Sequence, residues 1–226
     1  MTGISRNHDG ARLTRMAGHD SPDDTAHLET IVRGALPAGD EAWAAARTRF
    51  AARAASDGLV DIAFEDHDTP LGRMRVGATG QGIVRVVLPT ENANEILEDL
   101  ARRVSSRILR TSTPTIATAR RELDEYFDGR RRTFDVSLDW TLTTGFRRDV
   151  LRATAQIAYG QTSSYRRVAT AAGSPNAVRA AGSALANNPL PILVPCHRVL
   201  RTDGGVGQYL GGQAAKTRLL TLEQVV

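Results

Sequence analysis

Cysteine is nearly missing from this chain: Cys196 is the only one among 226 residues. One thiol closes no internal disulfide, which makes a reducing, cytoplasmic setting the expectation, and it leaves no paired thiolates for a structural zinc site. His8, His19, His27 and His67 are scattered without ligand spacing, so no metal is expected. Long apolar runs are also missing. No stretch approaches the roughly eighteen consecutive apolar residues of a membrane helix. Met1–Arg6 is polar where a secretory signal would place an apolar core, so no membrane partner is expected.

The last shortage is of negative charge in one region. Residues 140–226 hold ten Arg or Lys against three Asp or Glu, whereas residues 1–139 hold nineteen against twenty-two. Between Asp149 and Asp203 there is no acidic residue, while Arg152, Arg166, Arg167, Arg179, Arg198 and Arg201 fall there. Solvated surfaces mix both signs, so this stretch points to a polyanionic partner, and nucleic acid needs such a face.

What is present divides the chain into four parts. Residues 1–38 are rich in Asp, Gly, Ser and His and read as a disordered leader. Residues 39–55 read as an extra helix capped by Asp40, with Trp43, Ala46 and Phe50 on a docking face. Residues 56–140 read as an α+β domain. Three Val- and Ile-rich runs (59–64, 72–78, 83–88) make an antiparallel meander. Two amphipathic helices follow, marked by Ile96, Leu97, Leu100 and Val104, then by Ile116, Ala119, Leu123, Tyr126 and Phe127; a strand over 133–138 closes the region. Residues 141–226 read as mostly helical. Ser164 caps a helix over 165–172, Gly173 ends it, and Ser174-Pro175 starts the next at once, which is a helix-turn-helix.

The candidate chemistry clusters in this last part. Leu190–Val194 is an apolar lead-in to Pro195-Cys196-His197-Arg198-Val199, where the adjacent cations favour thiolate. Glu223, on the apolar side of the final helix with Lys216, Leu219 and Leu220, is the available partner to orient His197, which in turn helps deprotonate Cys196. Asn188, held before Pro189, is suited to tie two loop backbones together. The small residues Ala177, Ala180, Ala181, Gly182 and Ala184 allow close approach of a helix backbone, and Arg179 among them can reach phosphate or enter a base stack. Gly204–Gly212 allows close approach to a flat ligand but lacks the order of a nucleotide-phosphate loop.

Pro195-Cys196-His197-Arg198-Val199, with Asn188-Pro189 before it and Tyr209-Leu210-Gly211-Gly212 after it, resembles the O6-alkylguanine-DNA alkyltransferases, also called methylated-DNA–protein-cysteine methyltransferases. Tyr165, the segment Asn176–Ala180 and Thr69-Pro70-Leu71-Gly72 are similar to further motifs of that family, so that the likeness covers about residues 58–224. It implies an N-terminal domain with a small antiparallel sheet and a C-terminal, winged-helix-like domain carrying the active-site loop. It also implies direct-reversal repair of double-stranded DNA. O6-alkylguanine, with O4-alkylthymine as a further substrate, is flipped out through the minor groove, and its alkyl group passes irreversibly to Cys196 without a cofactor. By the same likeness Cys196, His197, Glu223, Asn188 and Tyr165 are catalytic. Arg179, Ala177, Ala180, Ser164 and Arg166 bind DNA, while Pro191, Val199, Val206, Gly207, Tyr209, Leu210 and Lys216 form the substrate pocket. The implied protein is a monomer, with cooperative binding along DNA left open. Leu210 and Gln208 depart from the family pattern, and no zinc-ligand set accompanies the match.

Two other readings compete. A Cys–His hydrolase needs two adjacent side chains of an extended segment to face each other, which such segments do not allow. A DNA-binding module without chemistry would have no need of the cysteine.

Overall fold

The computed structural model describes residues 39–225, so the expected leader lies outside the described residues. Among the described residues, those from Arg47 onward form one compact unit. Helix α1 (Asp40–Ser56) carries Asp40 and Glu41 in its first turn and Arg53 in its last, an order that suits the helix dipole. Its expected apolar face is not realised at Phe50, which stays 67% exposed; Ala51 and Ala54 are its buried residues.

The sheet is built from β1 (Ile62–Thr69), β2 (Gly72–Thr79), β3 (Gly82–Val87) and β4 (Ile108–Arg110), in the order β3-β2-β1-β4. The antiparallel meander is as expected, with Thr69 opposite Gly72 and Thr79 opposite Gly82 across two-residue turns. Gly82 is required where it stands: its φ is +148°, and a Cβ there would lie 2.4 Å from the Ser137 carbonyl oxygen. β4 pairs parallel to β1 over three residues, too short to show a period in sequence.

The strand expected over 133–138 does not form. One bridge links Leu138 to Ile83, with Ile83 N–H donating to Ser137 and Asp139 N–H to Ile83, each at 2.8 Å. The physical reason lies in Glu122. Its carboxylate is buried and takes the backbone N–H groups of Asp135 and Val136, at 2.9 and 3.2 Å, which a ladder would have used.

Two helices flank this sheet. Asn92 caps α2 (Ala93–Arg103), and Thr113 caps α3 (Pro114–Phe127), which has proline in its first turn. On α3, Ile116, Ala119, Leu123 and Tyr126 are buried at helical spacing.

The remainder runs α4 (Gly145–Ala155), β5 (Ser163–Ser164), α5 (Tyr165–Ala171), α6 (Val178–Ala186), a 3₁₀ turn (Cys196–Arg198), β6 (Val199–Leu200) and α7 (Gly212–Leu222). Ser164 caps α5 as expected, its hydroxyl accepting Arg167 N–H at 3.2 Å, and Gly173 follows with φ +80°. α6, however, begins at Val178. Ser174-Pro175 makes a turn instead, with Ala177 N–H bonded to the Ser174 carbonyl at 2.9 Å. Val76, Leu123 and Tyr126 share one apolar core with Leu151, Val194 and Leu219. The architecture is α+β.

Candidate active site

Residues 190–199 are all buried, so the apolar lead-in delivers Cys196 to the interior edge of the molecule. The path is held by one side chain. Buried Asn188 accepts Leu190 N–H at 3.0 Å through Oδ1, and its Nδ2 donates to the Val194 carbonyl at 2.9 Å and to Cys196 Sγ at 3.1 Å. Between those anchors Ile192 sits at φ +72°, a costly conformation for a β-branched residue that the buried surroundings over-determine. An N–H aimed at sulfur stabilises thiolate more than thiol.

Cys196 and His197 lie on a 3₁₀ turn rather than on an extended segment, a correction to the geometry assumed from sequence. The His197 imidazole nevertheless makes no hydrogen bond to the Cys196 sulfur. His197 Nε2 faces Glu223 Oε1 at 2.9 Å, and its Nδ1 is buried without a partner among the described residues. Glu223 caps the C-terminal end of α7 and is 1% exposed. It also accepts Tyr126 Oη–H at 2.7 Å and two bonds from Arg198 at 2.8 Å each. Burial opposes ionisation of Glu223, but hydrogen bonds from His197, Arg198 and Tyr126 outweigh it and hold the carboxyl down at about 2. An ionised carboxylate only accepts, so Nε2 carries the imidazole proton and Nδ1 keeps its lone pair. Burial pushes His197 below its ordinary value.

Burial pushes Cys196 up to about 11, with the Asn188 hydrogen bond and the Lys216 charge offsetting only part of the effect. Arg198 is spent on Glu223, and His197 is held as the neutral ring.

Cys196 is nonetheless reachable. It lines a cavity of about 930 Å³, together with Tyr165, Gly182, Leu185, Arg201 and the loop from Gly205 to Leu210. Tyr165 comes from the start of α5. Its ring lies 3.8 Å from where a Gly182 Cβ would stand, and its hydroxyl 3.2 Å from a Gly207 Cβ, at φ +70°. Gly207 is the tight position, where a positive φ and the nearby hydroxyl favour glycine, whereas a Cβ at 182 would make an ordinary contact. Val206, Gly207, Gln208, Tyr209 and Leu210 line the cavity, with Tyr209 edge-on to the His197 ring at 6.3 Å between centroids.

Three residues expected in the pocket do not line it. Pro191 and Val199 are buried, the latter in β6, and Lys216 is wholly buried, its Nζ donating to the Val199 carbonyl at 2.7 Å. Burial brings Lys216 down to about 8. Its role is to hold β6 from behind.

The helix pair presents a different surface. Arg166, Arg167, Arg179 and Ala180 are exposed, whereas Ser164 and Ala177 are partly covered. Arg179 stands second in α6, inside its first turn. Arg198 leaves this basic surface altogether, and Arg201 is paired with Asp203 at 2.8 Å.

Sequence reasoning missed Tyr126 and Arg198 as holders of Glu223, and the two-residue pairing of β5 with β6 that brings Ser164 beside Leu200. Tyr126 sits on the apolar stripe of α3, where its hydroxyl gives no signal. Arg198 was visible as an arginine next to the cysteine, but its direction was not.

Comparison with known proteins follows this geometry. Residues 145–225 match the family model described as 6-O-methylguanine DNA methyltransferase, DNA binding domain. Residues 57–140 match that family's ribonuclease-like domain. The constitutive methylated-DNA–protein-cysteine methyltransferase of Bacillus subtilis is 36% identical over 159 residues, covering 70% of this chain and 93% of that protein. The structure of Mycobacterium tuberculosis OGT in complex with DNA superposes with a TM-score of 0.61 at 31% identity, covering 72% of this chain and 92% of that one. The methyltransferase of the archaeon Pyrococcus kodakaraensis shares the fold, with a TM-score of 0.56 at 23% identity over 72% of this chain and 98% of that one. Cys196, Asn188, His197 and Glu223 thus stand in a chain that belongs to the 6-O-methylguanine DNA methyltransferase family.

Proposed function

We propose that the chain repairs duplex DNA by direct reversal, moving the alkyl group from O6 of guanine onto Sγ of Cys196. The observation that carries this reading is the position of the sulfur: at a cavity wall, 3.1 Å from the Asn188 amide, beside a His197–Glu223 pair at 2.9 Å. The thiol proton leaves for Nδ1 of His197, by way of a water, and the imidazolium that forms is held by Glu223. Sγ then attacks the alkyl carbon, forming a C–S bond as the C–O6 bond breaks. The electron pair of that bond goes to the guanine, where the Tyr165 hydroxyl stabilises the developing charge. Asn188 braces the loop throughout.

The base reaches the cavity by leaving the stack through the minor groove, at a cost of a few kcal/mol for unstacking. Arg179, from the exposed first turn of α6, fills the vacated place, while Ser164, Arg166, Ala177 and Ala180 seat the helix pair on the backbone. Val206, Gly207, Tyr209 and Leu210 line the base site. The thioether has no route back to thiol, so each molecule acts once, as a monomer in the cytoplasm, and O4-alkylthymine is a second substrate. Residues 56–140 serve as the domain that buttresses the catalytic one.

A Cys–His hydrolase is disfavoured because the His197 imidazole makes no hydrogen bond to the Cys196 sulfur, its Nε2 facing Glu223 instead. Intact mass after incubation with a duplex containing O6-methylguanine tests the proposal. One added methyl at Cys196 and no further turnover is the expected result; renewed turnover or no adduct would overturn it.

A further inference from the structure

A second cavity, of about 240 Å³, opens beside the one that holds Cys196, and the two share Ala186 and Leu210 in their walls. Three guanidinium groups line it: Arg85 of β3, Arg103 at the end of α2, and Arg147 in the first turn of α4. Two carboxylates, Glu91 and Asp99, line it as well, and both are already committed. Glu91 pairs with Arg85 and accepts Leu88 N–H at 2.8 Å, and Asp99 holds Arg103 at 3.0 Å.

Arg147 has no carboxylate partner among the described residues. Its Nη2 donates to the Asn187 carbonyl, and its Nε–H is buried with no acceptor. Arg85 likewise keeps a buried Nε–H without an acceptor. Burial shifts both guanidiniums downward from their ordinary value, and each also feels a neighbouring arginine: Arg147 acts on Arg85, and Arg103 on Arg147. Unanswered charged donors in a recess of this kind are costly, and an anion answers both the geometry and the charge. The planar fork of arginine fits a tetrahedral oxyanion, and the volume suits a single phosphate group better than a whole nucleotide.

We propose that this cavity is an oxyanion site in which Arg147 and Arg85 together hold a phosphate group. Free inorganic phosphate and a phosphodiester of bound duplex offer the same chemistry, and two arms separate them. In the first, inorganic phosphate is titrated calorimetrically into the full chain at an ionic strength fixed with chloride. In the second, duplex affinity is measured against salt concentration. Both are repeated with Arg147→Gln and Arg147→Lys, after melting curves confirm that the variants fold.

A free-phosphate site gives binding that weakens about tenfold in Arg147→Gln, less in Arg147→Lys, with duplex affinity unchanged. A phosphodiester site gives no phosphate binding, but duplex affinity falls about tenfold in Arg147→Gln and the salt slope drops by about one. Either result supports the site. If Arg147→Gln moves neither quantity, the proposal is wrong. It is also wrong if that variant loses reaction with free O6-benzylguanine, since Arg147 would then belong to the reaction itself. Only the duplex arm rests on the repair reading. Failure of the wild type to take up methyl would sink that reading while leaving the phosphate titration to stand.

Discussion

Arg198 and Arg179 come from the same acid-free stretch and meet opposite fates. Arg198 is buried and gives three hydrogen bonds, two to Glu223 and one to the Ile157 carbonyl at 2.5 Å. Arg179 is exposed in the first turn of α6 and pairs with no carboxylate among the described residues. The contrast extends to their surroundings. Inside, Tyr126, His197, Arg198 and Glu223 satisfy one another before any substrate arrives; outside, Arg166, Arg167 and Arg179 wait for counter-charge. On the proposed function, the group that holds the proton relay in register is built in and desolvated, whereas the one that meets phosphate is left in water with its charge uncancelled.

The largest effect follows from removing the sulfur. Cys196→Ala should abolish alkyl transfer entirely while alkylated duplex is still bound, as mass spectrometry and a gel-shift assay together would show; residual transfer in this variant would remove Cys196 from its assigned place. Next comes Glu223→Gln, which leaves Arg198 buried without its counter-ion. Breaking a buried pair in this way costs about 3–5 kcal/mol, and denaturant unfolding should report a loss of that order. The same change lets Nε2 of His197 lose its fixed proton, so transfer should slow by about 100-fold or more, in line with the loss of a positioned base. Equal stability with unchanged rate would mean that the inner network is ornamental.

Acid probes the same contrast more gently. The Glu223 carboxyl lies at about 2 in the folded chain against an ordinary 4.5, so its ionised form favours the folded state. That contribution is complete above the ordinary value and is lost as pH falls from about 4.5 to about 2, amounting to roughly 3 kcal/mol. Unfolding followed across this range should show the loss in the wild type and its absence in Glu223→Gln. The transfer rate should respond elsewhere. Burial holds His197 below its ordinary value, so the ring stays a neutral base on passing from pH 8 to 6.5, and the rate should remain level there.

Much of the site could be read from residue order because its elements are local. The apolar lead-in 190–194, the Asn188-Pro189 corner and the Ser164 cap each declare themselves within a few residues. What was misread depended on long-range competition. The strand expected at 133–138 lost its backbone donors to Glu122, thirteen and fourteen residues away in sequence. Tyr126 reaches Glu223 across 97 residues, from a position whose burial looked like plain core. Lys216 reads as a cation near the pocket, yet the carbonyl of Val199 turns it inward. The setting of Cys196 was illegible for a related reason: burial, which composition does not reveal, pushes the thiol up against the cations next to it in sequence.

The smallest predicted effect is the one that most sharpens the comparison. Arg179→Ala removes an exposed side chain that holds nothing together among the described residues, so the melting temperature should stay within the range of ordinary surface substitutions, about 0.5 kcal/mol either way. If Arg179 supports the vacated stack, transfer from duplex should fall by about tenfold, which corresponds to about 1.4 kcal/mol of lost support for the extruded state. Reaction with free O6-benzylguanine, which needs no extrusion, should be nearly unchanged. The inner network predicts the reverse pattern for Glu223→Gln, with both substrates slowed alike. A parallel loss on duplex and free base in Arg179→Ala would therefore erase the division between the two arginines and place Arg179 with the chemistry.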